Sequence, residues 1–374
     1  MSEKKIVLMV SSFAPPHAGG LEVCAEQMFK LFNFSDVSIT WLVSDVPKME
    51  ASKNTIRIPV FNLIERVTGI PIPIPTPAGV MKLISSVRKS HAIHVHDIMY
   101  LSSWLSVTTA FFFRIPWSVT VHIWKVPYQS PFSLMAQNIS HAIGSFICLN
   151  NARWISCYSQ DVFRRLNKIY GSKVHFIANP IHPAFTLASL ENLEASRILL
   201  RQQLDWSCQR KQIVFAGRLV EKKGLFHILN FARAFPSCDF HIHGSGPLKL
   251  NITNLNNVIL YGETSKSVLA ERFIAGDLFL LPSKGEGFPL SIQEAMSCGM
   301  PCSVFKETWE AWGGNAEQFI FLDDFENLDA CFSFSDTLEL RRTRAAYARS
   351  QWSSELFTSH YEKLYKYLVI EIPH

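Results

Sequence analysis

Two cations, Arg218 and Lys223, stand five residues apart in the stretch GRLVEKKG. Two carboxylates, Glu286 and Glu294, stand eight apart in PSKGEGFPLSIQEAMSCGMP. Fixed cations in one loop can neutralise a diphosphate, and an arginine fork adds bidentate geometry to the charge. The two glutamates cannot share one point, because Glu286 falls in a loop and Glu294 more than a turn inside the helix that follows. Their spacing suits the two ends of one elongated, hydroxyl-rich ligand. The start of that helix adds donors: its first amides lack partners and carry positive partial charge, which suits a phosphate or a sugar hydroxyl. The expected donors run from Gly287 through Phe288 and Pro289 to Leu290. The plain alternatives are solvated loop charges and a capped surface helix carrying two solvated glutamates.

Such residues need a scaffold. Leu278–Leu281 reads as a buried strand, and 289–298 as a helix with Pro289 in its first turn and Gly299 and Pro301 as its stop. A helix opening at the carboxyl end of a buried strand lies where open α/β sheets bind ligands. Arg218 and Lys223 occupy a similar loop, between a strand at 212–216 and a helix at 225–235. Strands are also expected at 5–10, 37–43, 55–60, 92–95, 117–121, 154–158, 238–243, 257–261 and 319–322. Helices are expected at 21–32, 78–90, 101–113, 159–169 and 267–275, and again from about 341 to the end. The length of 374 residues points to two domains. The polar stretch 186–208 is the expected linker plus a helix, giving domains 1–185 and 186–353, with the last helix, about 354–374, crossing back to the first.

Hydrophobic content of 48% with 18% charged residues is that of a compact globular chain. The eight cysteines are scattered, and no secretory pattern precedes the first strand, so a reduced, cytoplasmic protein is expected. Cys298 and Cys302 lack partners for a zinc set. Residues 1–190 hold 17 Lys+Arg against 9 Asp+Glu, which makes the first half +8 and leaves the rest −3. That asymmetry fits either an anionic membrane surface, an acidic acceptor, or chance. Helix 78–90 is basic and amphipathic, which suits packing on the core or lying on a membrane. The apolar run 101–113 is too short to span a bilayer, so membrane contact would be peripheral.

Glu286-x7-Glu294 in its setting resembles the E-x7-E signature of the retaining GT-B glycosyltransferases of family four, the glycosyl transferases group 1. The resemblance covers essentially the whole chain and is strongest over 212–302. It implies an α/β protein of two Rossmann-like domains facing across a cleft, the first binding the acceptor and the second the nucleotide sugar. It assigns the donor sugar to Glu286, the ribose to Glu294 and the donor diphosphate to Arg218 and Lys223. Gly19 and Gly20 resemble the family's P-x-x-GG loop, where backbone amides approach the donor. His122 matches the histidine near the reacting sugar, and His96 a position shaping the acceptor side. Lys125 and Tyr128, in a VPY arrangement, fall where the acceptor goes. Asn179 and Phe185 fit the linker entry, from which Ala178, Pro180 and His182 depart. Gly244 opens the GxGP turn near the nucleotide, and Gly262 and Glu263 lie where the base is held.

The expected reaction is retaining transfer of a hexose from a UDP- or GDP-linked sugar to a glycan or lipid-linked acceptor, in cell-surface polysaccharide or lipopolysaccharide synthesis at the inner face of the plasma membrane. No Asp-x-Asp motif suggests a metal clamp, so neither a divalent ion nor another cofactor is expected, and no nucleic-acid partner. Alternatives are a non-catalytic GT-B subunit that binds a sugar nucleotide or a partner, and a GT-B phosphorylase. An NAD oxidoreductase lacks its G-x-G-x-x-G.

Overall fold

The structure, a computed structural model, describes residues 4–15, 20–32, 34, 36–47, 54–68, 72–122, 124, 131–187, 189–284, 286, 289–312, 320–322 and 336–371. It divides into two compact units, one of Met1–Ala178 with Glu355–His374 and one of Asn179–Ser354.

The first unit begins with β1 (Lys5–Val10), α1 (Gly20–Leu31), β2 (Val37–Ser44) and β3 (Thr55–Ile58). A two-strand ribbon of β4 (Val60–Phe61) and β5 (Ile74–Pro75) flanks α2 (Leu63–Thr68). Then come α3 (Pro77–Arg88), β6 (Ala92–His96), α4 (Leu101–Phe112), β7 (Trp117–Val121), α5 (Pro131–Leu149), β8 (Trp154–Cys157), α6 (Gln160–Tyr170) and β9 (Val174–Phe176). Seven parallel strands pair in the order β3-β2-β1-β6-β7-β8-β9. Their near-continuous apolar runs, such as KIVLMV, are what a sheet covered on both faces requires. The order reverses between β1 and β6, so right-handed crossovers place α1 on one face and α3 to α6 on the other.

Helix α3 starts at Thr76, whose Oγ1 accepts the Gly79 N–H at 3.1 Å. Its Leu83 and Val87 are fully buried in the core between helices and sheet, so α3 takes the core-packed of its two expected arrangements. Helix α5 has no counterpart among the expected elements.

The second unit holds α7 (Leu193–Gln203), β10 (Lys211–Ala216), α8 (Leu225–Ala234), β11 (Cys238–His243), β12 (Val258–Gly262), α9 (Lys266–Ala275), β13 (Leu278–Leu281), α10 (Leu290–Ser297), β14 (Cys302–Phe305), α11 (Lys306–Trp312), β15 (Ile320–Leu322) and α12 (Leu338–Gln351). Its six parallel strands run β12-β11-β10-β13-β14-β15, with another reversal between β10 and β13. The last helix, α13 (Ser354–Lys366), packs in the first unit: Phe357 and Tyr361 meet the Phe32 ring at 5.9 and 5.4 Å between centroids.

Candidate functional site

In the second unit the loops at the carboxyl ends of four neighbouring strands are tied together through their main chains. The Gly217 N–H bonds to the His243 carbonyl at 3.0 Å, and the Leu219 N–H to the Ser245 carbonyl at 2.8 Å. The Gly244 N–H bonds to the Gly262 carbonyl at 2.7 Å, and the Lys284 N–H to the Lys222 carbonyl at 2.9 Å. The loop after β10 thus sits between those after β11 and β13. Two glycines make the approach feasible. A Cβ on Gly244 would lie 1.9 Å from the Gly217 carbonyl oxygen, and one on Gly224 would lie 1.8 Å from that of Pro282. Gly224 also takes φ +71°, where a side chain is strained.

This lattice brings Lys223 to Glu286. The ammonium meets Oε1 at 2.6 Å, with the two side chains only 15% and 10% exposed. The contact is an ion pair rather than an aligned hydrogen bond, since Oε1 lacks a hydrogen-bond partner among the described residues. Lys222 belongs to the same cluster: its pKa falls because its ammonium is desolvated and because Lys223 and Arg218 repel it, while Glu286 pulls the other way. Its surface is nonetheless exposed, so the charge reaches solvent. Arg218 is also exposed, on the strip of main chain tied to Ser245.

Glu294 is buried in α10, and its Oε1 takes a hydrogen bond from Lys266 at 2.5 Å. Lys266 lies at the start of α9, with its ammonium 5.5 Å from the centre of the Phe185 ring. Other polar groups of this unit include His243, which the motifs did not single out, and Glu263 and Asn179, which they did. His243 Nδ1 pairs with Thr264 Oγ1 at 2.9 Å and its ring stacks on Tyr261 at 4.4 Å, while Nε2 is buried without a hydrogen-bond partner among the described residues. Glu263 is exposed, and its Oε1 accepts from the Ser245 hydroxyl at 2.5 Å. Asn179 is buried, and its carbonyl accepts from Gln293 Nε2 at 3.0 Å. Neither Asn179 Oδ1 nor Gln293 Oε1 has a hydrogen-bond partner among the described residues.

The helix start departs from expectation. Pro289 caps α10 from outside, with ψ 122°, and its carbonyl accepts the Ile292 N–H at 3.1 Å. Proline has no N–H, so it cannot be one of the expected amide donors. Leu290 is the first helical residue. Gly287 and Phe288 lie outside the described residues, as do Gly19, Lys125 and Tyr128; Gly20 opens α1.

In the first unit, the register of β6 on β7 sets His94 beside Ser118 and His96 beside Thr120. His94 bonds both hydroxyls, at 2.7 and 2.9 Å. His96 Nδ1 meets His122 Nε2 at 3.1 Å, and the Tyr361 hydroxyl reaches Thr120 and Tyr158 at 3.1 and 3.2 Å. His122 is 9% exposed at the carboxyl end of β7, its ring edge-on to Tyr158.

Burial lowers the pKa of His96 to about 3, and burial with like-charged neighbours holds His94 and His122 well below the usual value. In the second unit burial lowers His243 to about 4. The folded chain therefore resists proton uptake that the unfolded chain, with histidines near 6.5, accepts. Stability from these groups is complete above pH 6.5 and is lost as pH falls toward 4. Burial raises Asp97 to about 6, so its contribution runs the other way, present below about 3.8 and lost as pH rises through 6. One carboxyl opposes several imidazoles, each carrying about 1.4 kcal/mol per pH unit across its window. The melting temperature should fall between pH 6.5 and 4.5; a flat or rising profile in a thermal denaturation series would contradict this.

Among the described residues no three His, Cys, Asp or Glu side chains converge to hold a metal ion, and no helix is long and apolar enough to cross a membrane.

Residues 196–308 match the model of the family Glycosyl transferases group 1. A putative teichuronic acid biosynthesis glycosyltransferase, TuaC of Bacillus subtilis, is 24% identical over 190 residues, half of this chain and 46% of that protein. The chain thus spans about half the length of this curated relative. Over nearly the whole chain the fold matches sucrose-phosphate synthase from Thermosynechococcus elongatus, with TM-score 0.72, 17% identity and coverage of 99% of this chain and 100% of that one. It also matches Anabaena HepE in complex with UDP-glucose, with TM-score 0.71, 15% identity and coverage of 96% and 99%. The chain has the GT-B fold, two Rossmann-like α/β domains.

Proposed function

We propose, starting from that family match, that this chain transfers a hexose from a nucleoside-diphosphate sugar to a glycan or lipid-linked acceptor, with retention at the anomeric carbon. UDP is the first nucleotide to test, on the likeness to HepE, and GDP the second. The observation that carries the reading is the 2.6 Å contact of Lys223 with Glu286, inside a cluster that also holds Lys222 and Arg218. That arrangement puts diphosphate-binding charge beside a carboxylate able to accept hydrogen bonds from sugar hydroxyls.

The chemical difficulty is to break a sugar–phosphate bond while an oxocarbenium-like centre forms and the leaving diphosphate gains charge. Arg218 and Lys223 stabilise that charge as it develops, from positions fixed beforehand by the main-chain lattice. An arriving diphosphate competes with Glu286 for the Lys223 ammonium, and the carboxylate is released toward the sugar. Glu294, held by Lys266, takes the ribose hydroxyls, and Glu263 lies toward the base. The first domain takes the acceptor, with His122 and His96 at the ends of its strands. Both histidines are neutral at pH 7, so they serve as hydrogen-bonding groups rather than as charges.

The reading is tested by thermal-shift titration with UDP, GDP and their sugar conjugates, followed by a transfer assay. A specific donor at a hundred times its dissociation constant stabilises the fold by about 2.7 kcal/mol. Failure of every nucleoside diphosphate to raise the melting temperature would refute it. Glu294→Gln should raise the donor KM about tenfold, the scale of one hydrogen bond to a charged group. Lys266 is 40% exposed and can turn to water when its partner loses charge. An unchanged KM would remove Glu294 from the ribose. Transfer should persist in excess EDTA, because Arg218 and Lys223 supply the positive charge a metal would bring; abolition of activity by the chelator would show a metal requirement.

A further inference from the structure

We propose that the outer faces of α4 and α5, rimmed by cations, form a docking surface for a bilayer containing anionic phospholipids. Neither LSSWLSVTTAFF nor PFSLMAQNISHAIGSFICL contains a charged residue. Each helix sends part of its apolar surface into the core, Val107 and Ala110 from α4 and Cys148 and Leu149 from α5, yet leaves large apolar side chains facing outward. In α5 the buried positions are Gln137, His141, Gly144, Cys148 and Leu149, while Met135, Ile139, Ile143 and Phe146 face outward. In α4, Val107 and Ala110 are buried together with Ser102, Ser103, Ser106 and Thr109, and Phe111 and Phe112 are exposed together with Phe113 just beyond. Phe112 and Phe146 are 75% and 73% exposed. Gly144 fixes this orientation, because any Cβ there would lie 1.9 Å from the Ile98 carbonyl oxygen. The close approach at Gly144 keeps the helix from rolling to hide its outward apolar side chains.

The exposed charges between residues 77 and 153, the segment that builds this face, have one sign. Helices α3, α4 and α5 lie on one face of the sheet and all run from strand carboxyl ends toward strand amino ends. Their last turns therefore gather Arg88, Lys89, Phe111, Phe112, Phe113, Arg114, Phe146 and Arg153 at one edge. The Arg88 guanidinium lies 4.8 Å over the Phe113 ring. From residue 77 to residue 153 the sequence has a single acidic residue, Asp97, which is 2% exposed. A second copy of this chain would set these cations against themselves. A bilayer with anionic headgroups complements both components, accepting the aromatic rings into its acyl boundary and the cations at its surface. The edge lies opposite the strand ends that carry His96 and His122, so docking leaves those histidines uncovered.

This proposal does not rest on the transfer reading, because binding is measured with no donor present. The full chain is floated with vesicles of phosphatidylcholine alone and of phosphatidylcholine with phosphatidylglycerol. It should bind the anionic vesicles and be released by high salt. The double variant Phe112→Ser/Phe146→Ser and the double variant Arg88→Glu/Arg114→Glu should each lower the partition coefficient about tenfold or more. Leu187→Ser, at a residue 79% exposed in the second unit, should leave it unchanged. The altered side chains are exposed, so melting temperatures should stay at the wild-type value. Absence of wild-type binding would overturn the proposal, as would double variants that bind like wild type. A stable dimer that Phe112→Ser/Phe146→Ser dissociates would equally overturn it, by giving the face to a second copy.

Discussion

Replacing Lys223 with alanine should lower the turnover of sugar transfer about 10²–10³-fold, the usual loss when one preorganised group facing developing charge is removed. The side chain is held close to Glu286 and is only 15% exposed, so its charge acts through little water. Removing it also leaves Glu286 nearly buried without its counterion, and that alone destabilises the fold. Arg218→Ala separates the two effects. Arg218 is exposed, and its truncation should leave the melting temperature in place while turnover falls by a similar factor. Steady-state kinetics on both variants, read beside their melting curves, checks the assignment. Turnover near wild type in Arg218→Ala with an intact fold would mean that the diphosphate lies elsewhere.

A second large effect is expected from one methyl group. In Gly224→Ala the new Cβ would fall 1.8 Å from the Pro282 carbonyl oxygen, and the residue would have to hold φ +71°. The backbone conformation alone costs about 1–3 kcal/mol, and the overlap can be relieved only by parting the two loops. Parting them strains the hydrogen bond from the Lys284 N–H to the Lys222 carbonyl and carries Lys223 away from Glu286. Calorimetric titration should then show UDP affinity reduced about tenfold or more, since a displacement of the order of 1 Å in a positioned group has effects of that size. Circular dichroism should show an intact fold. Unchanged UDP affinity in a folded variant would dissociate the loop contact from nucleotide binding.

The strands and turns of the second unit could be read from local pattern. KQIVFA, CDFHIH and LFLL are buried apolar runs, each followed by glycine or proline at the point where the chain must turn. The cationic pair and the two glutamates could be read for the same reason: each pair lies within one contiguous strand-loop-helix segment. The partner of Glu294 could not. Lys266 is 28 residues away, on another helix, and nothing in its own surroundings marks it. The histidine row of the first unit was half visible. AIHVH and WSVTV alternate, but only the pairing register sets His94 against Ser118 and Thr120. Helix α5 went unread for a physical reason. Periodicity identifies a helix by the apolar face it buries, and this helix buries Gln137 and His141 beside Cys148 and Leu149 while Ile139 and Ile143 face outward. Pro289 shows a smaller limit: local preference could not tell the first helical turn from the cap before it.

The loops after β10, β11, β12 and β13 hang on one another through peptide groups, and under the proposed function that has a practical meaning for redesign. Bonds such as Leu219 to Ser245 and Gly244 to Gly262 survive any exchange of the side chains between them. Ser245, Glu263 and Thr264 are therefore places where a library could retune which donor is accepted without rebuilding the scaffold, whereas the glycines that let the strands of loop touch tolerate no such variation.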